Sequence, residues 1–253
     1  MKKYSFSPAL WLPAALLLIA SAPLWGQEGE YLSAEEAYEG DVNGTDRVED
    51  PLEPINRVTF RFNDFVYENL LQPVSDAYTW ITPEPVQEGA SNVFDNLRYF
   101  ERVTGNLLQA RWQGAWVETG RFAVNSTVGI AGVFRPADKL SGFAEPPAED
   151  IGQALGAWGL SEGPYLVLPL LGPSNLRDLV GYVGDRSVHP LKEPFSLIDD
   201  WNWEWRTALT ATEVVVESPQ LLDRYEQMKD GAIDPYGSLK NAYTQNRRAA
   251  IAE

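Results

Sequence analysis

The run Asp50-Pro51-Leu52-Glu53-Pro54-Ile55-Asn56-Arg57-Val58-Thr59-Phe60-Arg61-Phe62-Asn63-Asp64-Phe65-Val66-Tyr67-Glu68-Asn69-Leu70 decides the fold class. Val58, Phe62, Phe65, Val66 and Leu70 step along it at helical spacing and form one apolar stripe. Pro54 suits the first turn of a helix, where a missing N–H costs nothing, and Pro73 is expected to close it. The same periodicity predicts a second helix over about 85–104, with Val86, Ala90, Val93, Leu97 and Phe100 on one face and Gly105 as its break. Further helices are expected around 105–111, 114–128, 176–186, 203–217, 221–228 and 235–252. No strand pair with a hairpin signal stands out, so the fold class is mainly α.

Upstream of this run the chain changes character. Lys2 and Lys3, an apolar run over about 9–22, and the small or turn-prone Ala20, Ser21, Ala22, Pro23 and Gly26 read as a secretory signal over 1–26. Its apolar part is shorter than the roughly 20 residues that a spanning helix needs. Residues 27–49 are rich in Glu, Asp and Gly and read as an acidic flexible tether, which puts the folded domain at 50–253.

The whole chain of 253 residues carries 20 Lys+Arg against 36 Asp+Glu, a net −16, and loss of Lys2 and Lys3 with the signal leaves 18 against 36, or −18. Such a balance argues against nucleic acid, which needs a concentrated basic surface. With no cysteine, a disulfide scaffold, a thiolate metal site and a cysteine nucleophile are all excluded. A single His excludes a His-rich metal site, and no spaced acidic calcium loop is present, so neither metal nor cofactor is expected.

Two apolar segments are punctuated by Gly and Pro in a way a water-soluble helix bundle would not need. One is Val128-Gly129-Ile130-Ala131-Gly132-Val133-Phe134; the other is Tyr165-Leu166-Val167-Leu168-Pro169-Leu170-Leu171, bracketed by Gly163-Pro164 and Gly172-Pro173. Their length permits a buried strand, a core turn, or an interfacial or re-entrant membrane segment. Trp201, Trp203 and Trp205 stand together, while Trp80, Trp112, Trp116 and Trp158 are scattered. Indole rings favour the bilayer–water interface and ordinary cores alike.

Gly159-Leu160-Ser161-Glu162-Gly163 fits the G-x-S-x-G pattern of serine hydrolases, with Asp178, Asp185 and His189 downstream in triad order. That motif works on a strained turn between a strand and a helix. Here Pro164 follows at once and no alternating βα pattern supplies the sheet, so hydrolysis is disfavoured. His189 precedes Pro190 and is expected in an extended or turn segment, exposed to solvent or hydrogen-bonded locally.

Several ordered blocks give the chain a family resemblance. Asp50, Pro51, Leu52, Glu53, Pro54, Ile55, Asn56 and Arg57, followed by Phe60, Phe62 and Asn63, resemble the start of the MlaA (VacJ) family of outer-membrane phospholipid-transport proteins. The likeness continues through Ser91-Asn92, Asn96-Leu97, Arg121-Phe122 and Asn125-Ser126-Thr127-Val128-Gly129. Gly152-Gln153-Ala154-Leu155-Gly156, Gly163-Pro164-Tyr165-Leu166-Val167-Leu168-Pro169, Leu176-Arg177-Asp178 and Asp234-Pro235-Tyr236 complete it.

The resemblance implies a mainly α, ring-like single domain with an amphipathic central channel, embedded in or lying on a membrane leaflet at the periplasmic side of the outer membrane. It implies no enzyme activity. It implies passage of misplaced phospholipid to a periplasmic MlaC-like lipid shuttle, with a trimeric outer-membrane porin as partner, and hence upkeep of lipid asymmetry. A flexible hairpin beside the channel influences lipid access in the family, and by order in the chain it matches 128–142. Gly129 and Gly132 would then give backbone freedom, and Ile130, Val133 and Phe134 apolar contact. The alternative expectation is a periplasmic lipid-binding or envelope-scaffolding module without channel activity. One departure stands out: the family carries a lipidated cysteine at the end of its signal, whereas Leu24-Trp25-Gly26 is followed here by Gln27.

Overall fold

The computed structural model describes residues 48, 50–192, 194, 196–198, 200–229 and 232–253. The signal expected at 1–26 and the tether at 27–49 lie outside the described residues, Val48 excepted. The described part is mainly helical: α1 (Glu53–Val66), a π-helical turn (Tyr67–Leu71), α2 (Gln72–Ile81), α3 (Glu84–Leu97), α4 (Tyr99–Leu108), α5 (Trp112–Thr127), a 3₁₀ turn (Pro136–Lys139), α6 (Ile151–Ala157), a hairpin of β1 (Tyr165–Leu168) and β2 (Gly172–Asn175), then α7 (Leu176–Val188), α8 (Trp203–Lys229) and α9 (Pro235–Ala252).

Pro54 does lie in the first turn of α1, but Pro73 does not end the helix. The chain runs from α1 into α2 through the π turn, where the Gln72 N–H reaches back to the Tyr67 carbonyl. That widened turn just before Pro73 relieves the clash its ring would make in a regular helix. Pro219 is passed in a similar spirit inside α8, which replaces the two helices expected over 203–217 and 221–228. The Val215 carbonyl, which loses its donor to Pro219, accepts instead from the Ser218 hydroxyl at 2.8 Å.

The expected helix over 85–104 is two helices, α3 and α4, hinged at Arg98 (ψ −7°). Gly105 lies within α4 rather than breaking it. A Cβ there would stand 2.7 Å from the Glu149 backbone, so the glycine permits close approach of the segment entering α6. That short helix, absent from the sequence expectation, is capped by Asp150, whose carboxylate accepts from Gln153 N–H at 2.7 Å.

The hairpin was likewise unexpected. β1 and β2 pair antiparallel, with Tyr165 opposite Asn175 and Leu168 opposite Gly172. It is held less by its own short ladder than by α1. Asn56 donates to the Tyr165 carbonyl at 3.0 Å and accepts from Val167 N–H at 2.9 Å. Asn63 repeats the pattern with the Leu168 carbonyl (2.9 Å) and Leu170 N–H (2.7 Å). Seven helical residues rise about 10.5 Å and three strand residues about 10 Å, so the two elements run in step. Leu170 has φ 65°, unusual for a side-chain-bearing residue, and is pinned at both N–H and C=O, the latter by the Tyr67 hydroxyl at 2.9 Å.

The apolar core lies where this hairpin meets α1, the C-terminal part of α8, and α9. Tyr67, Leu71, Tyr165, Leu170, Tyr225 and Leu239 are among its members, with Tyr67 and Tyr225 edge to face at 5.0 Å.

Candidate functional site

Helix α1 is inverted relative to a water-soluble helix. Its buried face carries Asn56, Phe60 and Asn63, the two asparagines each at 2% exposure, whereas Val58 (66%), Phe62 (48%) and Phe65 (63%) of the predicted stripe point outward. Only Val66 of that stripe is buried, and Leu70 is half-buried. The pattern extends over the molecule: all seven described tryptophans are exposed, as are Ile81, Leu107, Val180 and Val183. Scattered exposed apolar residues are ordinary, but an exterior this rich in indole, over an interior where buried asparagines and charged side chains stand beside the apolar core, is the arrangement a lipid surface favours. No helix among the described residues is long and apolar enough to cross a membrane.

The predicted channel segment, Val128 to Phe134, forms a tight turn after α5. Val128, Ile130 and Phe134 are exposed, Val133 is half-buried, and Gly129 and Gly132 are buried. Both glycines also serve fit. A Cβ on Gly129 would lie 2.2 Å from the Phe134 carbonyl oxygen, and Gly132 combines φ 94° with a close approach to Asn96. Ile130 and Ala131 also sit at φ 56°, a costly conformation for a β-branched residue that the surroundings must hold.

The restraint comes from beneath. Phe134 N–H returns to the Gly129 carbonyl and Gly132 N–H to Asn125, both at 2.9 Å, while Asn92 donates to the Val133 carbonyl at 3.2 Å. Arg121, buried, grips the Phe143 carbonyl at 2.7 Å and Asp138 at 2.6 Å. The result is an apolar tip on a polar, well-bonded base.

The family-motif residues gather elsewhere, where the start of the folded domain meets its end. Arg57 pairs with Glu53 at 2.7 Å, forks onto both oxygens of Asp234 (3.0 and 2.7 Å), and lies over the Tyr236 ring. That fork holds the Asp234 carboxyl below its usual range. Asp50 accepts from Asn56 at 2.9 Å and from the Tyr236 hydroxyl. Pro51 and Leu52 lead into α1, Gly163 (φ 69°) and Pro164 lead into β1, and Tyr165 is buried against Tyr236. Phe62 and Ile55 of the same block face outward as part of the apolar exterior.

The interior also holds a charged cluster that helical periodicity did not signal. Arg98, at the hinge between α3 and α4, pairs with Glu217. Lys192 pairs with Glu213, one turn earlier on α8, at 3.2 Å. Arg102 bridges Asp95 (2.7 Å) and Glu118 (3.1 Å). Burial pulls the Lys192 ammonium down, but Glu213 and Glu101 outweigh it and hold it above its usual value. A second cluster centres on Arg247, which takes both oxygens of Asp150 and of Asp178.

The residues of the G-x-S-x-G pattern do not assemble. Ser161 is exposed on an irregular segment. Asp178 is engaged by Arg247 and Tyr243, and Asp185 accepts from Ile151 N–H at 3.0 Å. His189 is buried rather than exposed to solvent, and it is hydrogen-bonded locally, with its Nδ1 accepting from Leu191 N–H at 3.2 Å. Burial first, then the positive charges of Lys192, Arg98 and Arg186, push its pKa down to about 2. Among the described residues no group of carboxylates and His is arranged to hold a metal ion.

Comparison with known proteins agrees with this architecture. A solved structure reported as "Structural basis for maintenance of bacterial outer membrane lipid asymmetry" aligns over 80% of this chain and 99% of that one, with a TM-score of 0.65 at 28% identity. The intermembrane phospholipid transport system lipoprotein MlaA of Escherichia coli K12 is 29% identical over 212 residues, 80% of this chain and 79% of its own. The protein of the same description from Haemophilus influenzae is 27% identical over 201 residues, 78% of this chain and 77% of its own. An uncharacterized protein of Rickettsia typhi is 26% identical over 210 residues, 83% of this chain and 80% of its own. The family model described as MlaA lipoprotein matches residues 48–250, which takes in nearly the whole described structure, and the chain therefore belongs to the MlaA lipoprotein family.

Proposed function

We propose that this protein is a non-enzymatic component of an intermembrane phospholipid transport system. It removes mislocalised phospholipid from the outer leaflet of the outer membrane and passes it to a periplasmic shuttle, maintaining lipid asymmetry. It lies at the periplasmic side of that membrane, beside a porin trimer. The observation that carries this reading is the inversion of the molecule: Val58, Phe62, Phe65 and the described tryptophans face outward, while Asn56, Asn63, Arg98, Glu118 and Arg247 lie inside or at its margin. A charged headgroup at bilayer depth costs several kcal/mol, roughly 2.5 or more on insertion scales. A polar path through protein lowers that cost while the apolar exterior meets acyl chains, and irregular backbone such as the 128–134 turn is tolerated beside such a path. Its exposed Val128, Ile130 and Phe134 form the lip at which acyl chains enter.

Outer-leaflet phospholipid labelling in cells with and without the gene tests this. A rise on deletion, restored by the wild-type copy, is expected; unchanged labelling overturns it. One observation favours a second reading, a lipid-binding module without flux: the chain has no cysteine to lipidate. Copurifying phospholipid fits both readings, and flux across a reconstituted bilayer separates them.

A further inference from the structure

Within the charged cluster one carboxylate is left over. Glu213 has Lys192 and Glu217 has Arg98, but the carboxylate of Glu101, one turn beyond Arg98 on α4, makes no hydrogen bond or ion pair with any described residue, while the Glu101 N–H reaches the Arg98 carbonyl at 3.0 Å. It is nevertheless buried, at 6% exposure, a situation that ordinarily costs a carboxylate its charge or its place. Burial does raise its pKa, while Lys192 and Arg98 act against that rise. From α7, Asp185 adds a further carboxyl that burial, Asp150 and Glu101 push upward. His189, beside Lys192 and Arg98, is kept neutral by the same surroundings. Three cations, Lys192, Arg98 and Arg102, thus act on Glu101, but each is already paired with another carboxylate: Glu213, Glu217, and Asp95 with Glu118. Glu101 is not sealed in, since its residual exposure exceeds the 1% of Glu118, and the Arg98 side chain beside it is 19% exposed.

We propose that Glu101 and Arg98 form a recognition site for an amine-bearing phospholipid headgroup, the ammonium on Glu101 and the phosphate on Arg98. The two residues stand three positions apart, about 4.5 Å along the axis, and the two charges of a phosphoethanolamine group are separated by two carbons. Arg98 retains an unpartnered N–H at Nε, so its pairing with Glu217 does not exhaust it. An organic ammonium suits the place better than a metal ion, for which no ligand group exists among the described residues. This assignment rests on the phospholipid-transport reading and adds a headgroup preference to it.

The test uses the purified full-length chain, incubated with vesicles of equal phosphatidylethanolamine and phosphatidylglycerol, with the retained lipid measured by mass spectrometry. Wild type is expected to retain the amine lipid over the glycerol lipid by about tenfold, the ratio expected of one charge-assisted hydrogen bond. Glu101→Gln, which keeps shape and hydrogen-bonding capacity, is expected to bring the ratio near one through loss of retained amine lipid. It is also expected to raise the melting temperature, because it removes an unpaired buried carboxylate. Glu101→Asp, which keeps the charge, is expected to keep the sign of the preference. Parity in wild type, or an undiminished preference in Glu101→Gln, overturns the site. Failure of wild type to retain any lipid overturns the transport reading, and the headgroup site with it.

Discussion

Asn63 bonds the backbone of the hairpin through both the oxygen and the nitrogen of its side-chain amide, as Asn56 does two turns before it while also donating to Asp50. Asn63→Leu would fit the helix, leave Leu170 N–H unpaired, and leave the Leu168 carbonyl only Leu171 N–H, at 3.2 Å. A loss of about 2–3 kcal/mol is expected, read as a fall in the denaturant midpoint. His189 offers a second check because it is the chain's single histidine. With its pKa pushed down to about 2, its imidazole NMR signals should not titrate between pH 5 and 8. The sign for stability follows. The unfolded chain takes up a proton below about pH 6.5 and the folded one does not. Stability from this group is therefore full above that pH and is lost as pH falls toward the folded value. His189→Gln should flatten this fall in a pH series of melts.

At the scale of elements, departures from the sequence expectation share a cause. Pro73, Pro219 and Gly105 are strong local punctuation, and each is overridden by a specific contact: a π turn, the Ser218 hydroxyl, and the backbone at Glu149. The 128–134 turn shows the same thing. Gly129→Ala should destabilise by about 1–3 kcal/mol, because its Cβ meets two carbonyl oxygens that cannot easily move. Gly142→Ala, at φ 94° with nothing within 4 Å, should cost only the backbone strain, about 1–2 kcal/mol. Thermal melts rank the two. The transport reading adds that Gly129→Pro should raise outer-leaflet labelling where Gly142→Ala does not. Little effect of Gly129→Pro would remove the turn from the lipid path.

At the scale of the whole molecule, none of the 253 residues is a cysteine. The apolar exterior is expected to hold the protein in membranes through a carbonate wash. Replacing Val58, Phe62 and Phe65 together with Ser should release it, each change removing on the order of 1 kcal/mol or more of lipid contact. Because all three are exposed, the folded domain should melt at nearly the same temperature in detergent. Quantitative release of wild type by carbonate would sink this account of retention.

The sequence by itself determined the mainly helical class, the place of Pro54 in the first turn of α1, the span of α9 and the family, because helical periodicity, proline geometry and ordered motif blocks are local properties of the chain. Tertiary structure alone decided which face of each helix is buried. Periodicity locates an apolar stripe without saying whether water, protein or lipid lies against it, and on α1 the stripe faces outward while two asparagines face the hairpin. It alone also paired Arg98 with Glu217 and Lys192 with Glu213 and left Glu101 over, since residues so far apart in the chain meet only when α3, α4 and α8 pack together.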